Sequence, residues 1–539
     1  MGKIKAAAFI VSNISLPFAS DEVEIINNAE QRMKRAGVDP APLHFRLYKK
    51  SIDARKKNDI RVVCSVVARS EAPISVNEAA LARGSVRVFS EEEPSISFGD
   101  EAMFAPPLVV GMGPCGMFAA LLLAQNGYKP IIIDRGASVN ERVAEVERFY
   151  KTRVLNSATN IQFGAGGAGT FSDGKLVTRI GDANCNFVLK TFKDFGAPED
   201  ILTKAKPHIG TDILRGVVSN ILDEIERLGG KLLYNCRLDS VCEKDKNLVA
   251  KTSLGDIECG VCVLAVGHSA RDTYEMLMSK GFCIAPKPFS VGVRVEHLQE
   301  DIDKALFGDC AGHEKLGKGE YNLSYTKGER GVYTFCMCPG GEVVAAASEE
   351  GGVVVNGMSR YARDGRNANS AVAVSVSPAD FCGDVRAAIE FQRSLERKAF
   401  ALGGGDYAAP CETIGDFFAD KAVHEPSRVR PTYMDGNCKV ANIGEIFPSF
   451  VTENLKIGLS DFDRKISGFA ACDAVLTAVE TRTSAPLTIK RSEEMTAVGN
   501  DKIYPAGEGA GYAGGITSAA VDGVKTALTI MARFSKPTL

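Results

Sequence analysis

Leu108-Val109-Val110-Gly111-Met112-Gly113-Pro114-Cys115-Gly116, followed by Ile131-Ile132-Ile133-Asp134-Arg135-Gly136, decides the fold of this chain. The spacing predicts strand, glycine turn, helix, second strand and then a carboxylate. Gly111 lets the chain turn tightly off the first strand. Gly113 has no side chain, so a pyrophosphate can approach the backbone. Gly116 lets the helix pack closely on the sheet. Pro114 and Cys115 open that helix, whose free N–H groups and positive dipole end suit phosphates. Asp134, with Arg135 and Gly136 beside it, is placed to accept hydrogen bonds from a ribose. A tight turn in an ordinary α/β domain is the alternative. The preceding strand and the apolar helix candidate Met117 to Gln125 supply the context that a bare glycine pattern lacks.

The 539 residues imply two or three domains. A hydrophobic fraction of 45% and a charged fraction of 24% are ordinary for a soluble globular protein. With a net charge of −3, no global field draws the chain to nucleic acid or to an anionic membrane. No apolar run reaches the roughly 20 residues that span a bilayer. Lys3 and Lys5 precede Ala6 to Val11 as in a signal peptide, but Ser12 and Asn13 interrupt the run, and a first strand is the better reading. The 15 scattered cysteines read as mostly reduced thiols of a cytoplasmic protein.

Residues 1–98 are expected to form a small α+β domain, with strands at Lys5 to Val11, His44 to Ser51 and Ile60 to Ala68 and helices at Glu22 to Ala36 and Val76 to Ala82. The basic run from Arg46 to Lys57 reads as a solvated face, or alternatively as a docking surface for a partner or an RNA backbone. Residues 99–282 are the first part of the dinucleotide-binding domain. Helices are expected at Glu141 to Thr152 and over 211–228, and strands at Lys231 to Asn235, Leu238 to Glu243, Leu248 to Ser253 and Ile257 to Val266. Over 283–455 short β-like runs broken by glycines, with a helix near Val385 to Ala401, predict an inserted β-rich substrate or cap domain. Residues 456–539 return to the dinucleotide domain. The expected class is therefore α/β: a Rossmann-like domain with an inserted α+β cap and a small N-terminal module.

Three further segments belong with the opening one. Ile161 to Leu176 is dense in glycine, and Gly166-Gly167-Ala168-Gly169-Thr170 would bring several backbone N–H groups to one ligand; a flexible surface loop is the alternative. Ala265-Val266-Gly267-His268 ends a strand in a small-residue turn. Ile503 to Ala506 runs into Gly507-Glu508, and Gly514-Gly515-Ile516 opens an alanine-rich helix over Thr517 to Met531. That order places Glu508 at a cofactor hydroxyl and aims a helix N-terminus at whatever lies beyond.

These four pieces resemble, in order, flavoproteins of the glutathione-reductase type, with Gly507-Glu508 where that family has Gly-Asp. A closer resemblance is to bacterial FAD-dependent dehydrogenases, also called NAD(FAD)-utilising dehydrogenases, many of unassigned function. It is carried by Ser51 to Lys57, Gly169 to Leu176, Arg330 to Gly341, Asn356 to Ser359, Ala362 to Gly365, Glu480 to Pro486 and Tyr504 to Ile516, and so covers nearly the whole chain. The resemblance implies FAD, a cytosolic redox protein and a ferredoxin-like N-terminal domain. It also implies that the first glycine turn and Asp134 take the ADP half, and that Leu238 and Ala265 to Gly267 line the cofactor.

Disulfide reductases of the related fold carry a cysteine pair soon after the first dinucleotide unit. The comparable stretch here, Gly169 to Lys175, has none, so a redox disulfide beside the flavin is not expected. Cys259 and Cys262 lie in one strand-like run and would face opposite sides. Cys336 and Cys338 would share one strand face, as a core pair or as a redox or metal pair near the flavin. Cys310 and His313 are too isolated to argue a metal site, and no metal is expected. A second strand-flanked GxGxxG is absent, so NAD(P)H is expected, if at all, as a transient donor over the flavin. Lys175, Arg179 and Arg482 are candidates for substrate anions or the flavin N1–C2=O edge, with structural ion pairs as the alternative. His268 is a candidate proton donor or a plain turn residue. The expected activity is transfer of a hydride or electrons between FAD and a small-molecule substrate. The alternatives are a flavin-bearing sensing protein without fast turnover and an RNA-modifying flavoenzyme using Arg46 to Lys57, although nucleic acid is not the expected partner.

Overall fold

The computed structural model describes residues 3–91, 93–420 and 423–537. The chain begins with β1 (Lys3–Pro17), α1 (Glu22–Arg35), β2 (His44–Asp53), β3 (Arg61–Asn77), α2 (Glu78–Arg83) and β4 (Val86–Val88). Asp21 starts α1 by accepting the Glu24 N–H at 2.9 Å while the Glu24 carboxylate accepts the Asp21 N–H, a capping box. The sheet order is β2-β3-β1-β4 with antiparallel neighbours. Phe9, Val11, Ile25, Ala29 and Met33 fill the core beneath it. The basic run falls on β2 and the turn after it. The Lys50 N–H donates to Thr203 O at 2.7 Å and Lys50 O accepts the Ala205 N–H at 2.8 Å, so this edge strand docks onto the central domain. Arg55, Lys56 and Lys57 remain exposed.

The central domain opens with β5 (Leu108–Val110), α3 (Pro114–Gln125), β6 (Ile131–Ile133), α4 (Val139–Thr152), α5 (Asn184–Asp194), α6 (Thr211–Arg227) and β7 (Lys231–Leu233). An antiparallel layer of β8 (Leu238–Lys244), β9 (Asn247–Thr252) and β10 (Gly255–Cys259) follows, then β11 (Cys262–Leu264) and α7 (Arg271–Ser279). The run from Ile257 to Val266 is thus not one strand. Gly260 divides it, where a Cβ would lie 2.6 Å from Met103 Cγ and 2.7 Å from Ala105 O. Cys259 and Cys262 consequently belong to two sheets, and both are buried.

After β12 (Ile284–Pro286), the inserted body contains β13 (Phe289–Leu298), α8 (Gln299–Phe307), β14 (Ser324–Tyr325), β15 (Val332–Cys338), β16 (Gly341–Ala345), β17 (Val355–Ser359) and β18 (Asn367–Val376). It continues through α9 (Val385–Leu402), β19 (Ala409–Thr413), α10 (Ile414–Ala419), β20 (Cys438–Val440), α11 (Ser449–Lys465) and β21 (Val475–Glu480). Its main sheet runs β14-β15-β18-β13-β21-β19-β20. Because β21 lies between β13 and β19, this body extends past the expected limit at 455. That position, Leu455, is itself buried inside α11.

β22 (Leu487–Ile489), β23 (Ile503–Pro505) and α12 (Ile516–Arg533) return to the central domain. Its sheet is parallel, in the order β23-β11-β5-β6-β7. Every residue of α3 from Cys115 to Ala124 is buried, as suits a helix that is apolar all round. It sits against β5, α6 and α12. Among the described residues no helix is long and apolar enough to cross a membrane.

Candidate functional site

The parallel sheet places the C-terminal ends of β5, β6, β11 and β23 along one edge, where open α/β sheets take ligands. Gly111 leaves β5 at φ 107°, and a Cβ there would lie 2.2 Å from Ala265 O. A Cβ on Gly116 would lie 1.8 Å from Gly111 O. Gly113 caps α3 without a side-chain hydrogen bond, which leaves first-turn N–H groups for a ligand. Asp134 is buried, and its two carboxylate oxygens accept the Met112 N–H at 2.8 Å and the Gly136 N–H at 2.9 Å. A carboxylate holding two such bonds retains lone pairs for a ribose. Arg135 turns aside, over the Phe163 ring at 4.4 Å and onto Asp272 at 2.8 Å. A cavity of about 550 Å3 opens there, lined by Arg135, Phe163, Asn235, Arg237 and Asp272 among others.

The second glycine segment lies against the first: a Cβ on Gly167, at φ 63°, would come within 2.9 Å of Gly113 Cα. Arg142 of α4 pins it from behind, donating to the carbonyls of Asn160, Ile161 and Ala165 at 2.8, 2.8 and 2.7 Å. Gly167, Ala168 and Gly169 stay partly open, and Gly166 is buried. Thr170 is turned inward, its carbonyl accepting the Thr211 hydroxyl at 2.8 Å, so it offers no side chain to the cleft. Cys115 likewise packs inward against Gly507, where a Cβ would lie 2.8 Å from its own. The Leu238 side chain lies in the core beneath the antiparallel layer, leaving only its backbone available.

The far end of the cleft is formed by the β11 turn and the start of α12. Ala265 is buried, whereas Val266, Gly267 and His268 are partly open. Gly515 caps α12 without a side-chain bond, and Ile516 packs beside Gly169. A Cβ added at Gly267, Gly514 or Gly515 would meet nothing within 4 Å. Burial pushes the Glu508 carboxyl up to about 7, with the Lys287 ammonium acting against it.

The cap supplies the facing wall. Lys175 donates to Met337 O and lies 3.6 Å from Glu320 and 3.9 Å from Asp173. Asp173 is fully buried and paired with Arg363 at 2.6 Å. Here β15 bulges: Phe335 pairs with Ala371 and Cys338 with Asn369, leaving one extra residue on the β15 side. Cys336, in the bulge, adopts φ 49°. The two cysteines therefore do not simply share a flat strand face. The Cys338 thiol donates to Cys336 O at 3.3 Å. Arg294, fully buried, donates to Cys336 O at 2.6 Å, lies 3.9 Å from Cys338 Sγ and pairs with Glu480 at 3.0 Å. Arg294 was not foreseen, since nothing in its own sequence neighbourhood marks it; Asp173 and Glu480 lay within segments that carried the resemblance but were given no role.

Arg482 is not a free anion contact. It grips Glu396 at 2.8 and 3.0 Å, and Arg271 holds the same carboxylate at 2.8 and 2.9 Å. Burial, together with Arg482 and Arg271, pushes the His268 imidazole down to about 3, so at neutral pH it has no imidazolium proton to donate. Arg179 is exposed on the segment after Lys175. Among the described residues no group of three or more His, Cys, Asp or Glu is placed to hold a metal ion.

The parallel-sheet cleft of open glycines faces the β-rich body, and sequence comparison supplies the family. Residues 288–483 match the family model described as FAD-dependent protein, C-terminal domain-like, and residues 10–69 match a domain of unknown function. An "Uncharacterized protein" of Clostridium beijerinckii is 46% identical over 540 residues, covering 98% of this chain and 100% of its own. The chain belongs to the family of that protein, an FAD-dependent protein family. Solved structures similar to this chain include a flavoprotein/dehydrogenase from Cytophaga hutchinsonii, 10% identical, covering 79% of this chain and 78% of that one at a TM-score of 0.36. CtdE in complex with FAD is 10% identical, with coverage of 79% and 84% and a TM-score of 0.32. Likeness at this level carries no argument about activity.

Proposed function

We propose that this protein is an FAD-dependent oxidoreductase that moves a hydride or electrons between bound FAD and a small-molecule substrate. The observation that supports this best is the cleft running from the glycine turn at Gly111–Gly116 to the uncapped start of α12 at Gly515, with open backbone at Gly167, Gly267 and Gly514 between them. These residues suit FAD. Asp134 would take the ribose, the start of α3 the pyrophosphate, and the cavity beside Arg135 and Asn235 the adenosine end. The start of α12 would face the electron-rich edge of the ring, where a helix N-terminus favours negative charge. Bound there, FAD would supply the hydride and electron chemistry. The chain itself would position substrate under the cap sheet and exclude water. Glu508, held near neutrality, would give or hold a proton at its carboxyl oxygen.

We read the central domain as the glutathione-reductase type and the β1-α1-β2-β3-α2-β4 unit as a ferredoxin-like module. All 15 cysteines are free, which suits a reducing compartment such as the cytoplasm. With no second strand-flanked GxGxxG, NAD(P)H would donate by docking transiently over the ring. Anaerobic mixing of the purified protein with NADH and NADPH, read by flavin absorbance and followed by a screen of oxidants, tests the reading. Bleaching by one of the two nucleotides is expected. A yellow protein that neither nucleotide reduces within minutes favours the sensing alternative, and a protein that takes up no FAD sinks both.

A further inference from the structure

The cap brings a second reactive group to the same cleft. Cys336 and Met337 together oppose Ser370 in the β15 bulge, and Cys336 is held there at φ 49°, a conformation uncommon outside glycine. Here Cys336 is partly exposed while Cys338 stays fully buried, its thiol on the Cys336 carbonyl at 3.3 Å. Arg294 and Lys175 approach from β13 and from the glycine-rich loop, each bonded to a carbonyl of this bulge. Lys175 is followed by Leu176, whose carbonyl accepts the Thr517 hydroxyl of α12 at 2.8 Å, so the pair stands across from the proposed flavin end. We propose that Cys336 and Cys338 form a redox-active dithiol that reacts with small-molecule disulfides, Cys336 as the attacking sulfur and Cys338 as the resolving one.

The electrostatics agree with that division of labour. The neighbouring Cys338 thiol, with the Arg294 and Lys175 cations, draws the Cys336 thiol below its ordinary range, against burial and Asp173. The same contact and burial hold Cys338 well above it. Glu480 of β21, Glu508 near α12, Arg363 after β17 and Tyr321 complete the ionisable groups facing the pair.

The chemistry balances as thiol–disulfide exchange. The Cys336 thiolate attacks one sulfur of the disulfide; a bond from Cys336 to that sulfur forms, the substrate S–S bond breaks and one thiolate leaves. Cys338 gives up its proton and attacks the Cys336 sulfur, forming the Cys336–Cys338 bond and releasing the second thiolate. The pair loses two electrons and the disulfide gains them, and the two products take the Cys338 proton and one from solvent. The assignment deepens the proposed flavin site, which would return electrons to the pair for further turnovers, but one turnover needs no other reductant.

Trypsin releases residues 331–360 as one peptide that carries these two cysteines and no others. Full-length protein is treated anaerobically with oxidised glutathione, denatured, alkylated with iodoacetamide and digested. Loss of both alkylation sites from that peptide, at a mass two hydrogens lower, is the expected result. In Cys338→Ser the glutathione adduct should persist on Cys336. In Cys336→Ser the remaining cysteine should be alkylated and carry no glutathione. A wild-type peptide that stays doubly alkylated while exposed Cys242 or Cys472 is glutathionylated overturns the proposal. Repeating the masses on flavin-free protein separates the two readings, because oxidation of the pair there supports the dithiol even if FAD never binds.

Discussion

The Asp134 carboxylate accepts the Met112 N–H at 2.8 Å, so the residue that ends β6 holds the glycine turn that ends β5. Asp134→Ala removes this bond, the bond to Gly136 and the proposed ribose acceptor together. Leaving buried N–H groups unpaired costs about 1–3 kcal/mol. We expect the flavin-to-protein absorbance ratio after gel filtration to fall about tenfold or more, the effect of about 1.4 kcal/mol or greater. Full flavin retention in this variant would remove Asp134 from the cofactor site.

Gly113 and Gly116 should fail in different ways. At Gly116 a Cβ meets Gly111 O at 1.8 Å, and neither backbone can yield without dismantling the turn. Gly116→Val should cost at least the about 1–3 kcal/mol typical of overpacking, read as a lower urea midpoint. At Gly113 an added Cβ meets only Gly167 Cα at 3.8 Å. Gly113→Ala should therefore keep its urea midpoint and lose flavin, because the methyl occupies the pyrophosphate approach. Retained flavin would show that no phosphate comes close there.

Acid should unlock the buried charges between central domain and cap. Although burial acts the other way, the Arg393 hydrogen bond and Arg271 hold Glu349 at about 2, and Arg271 with Arg482 hold Glu396 lower still. Both lie below the about 4.3 of an unfolded glutamate. Their stabilisation is present above that value and is lost as pH falls from about 4 toward 2. Glu396→Gln, which leaves buried Arg482 without its carboxylate and Arg271 with Glu349 alone, should cost about 3–5 kcal/mol at pH 7. Its Tm deficit against the native protein should narrow below pH 4. A deficit that is constant with pH would place the loss in packing instead.

Glu508 titrates in the opposite sense. Its folded value of about 7 lies above the unfolded one, so between pH 4.5 and 7 the folded state keeps a proton that the unfolded state has lost. This group therefore lowers stability as pH rises through that window. In flavin-free protein Glu508→Gln should raise Tm relative to the native chain at pH 8, and the gain should close at pH 5. An equal difference at both pH values would refute the burial of this carboxyl.

The glycine turn, Asp134 and the start of α12 were legible in the sequence because each is a local demand. A strand must end, a helix must start, and a backbone contact forbids a side chain at Gly111 and Gly116. The facing wall was not legible. Arg294, Cys336, Asn369 and Glu480 meet through pairings among β13, β15, β18 and β21, and no periodicity announces a one-residue bulge. Arg482 and His268 read as cleft residues because Glu396, the carboxylate that ties Arg482 down, is on α9, far from both in sequence. The limit at 455 failed for a similar reason. β21 is buried on both faces, and such a strand carries no alternation to show which sheet it joins.

The parallel sheet has β23 as its outer strand, and α3 is covered by α12, so the earliest part of the nucleotide cleft is completed by the last elements of the chain. During synthesis β5 and α3 emerge long before either partner exists. Until Ile503 to Arg533 follow, one edge of β11 is unpaired and the α12-facing side of an apolar helix lies bare. On the proposed reading, flavin capture would wait for β23 and α12, and a chain stalled short of β23 would keep that apolar surface exposed.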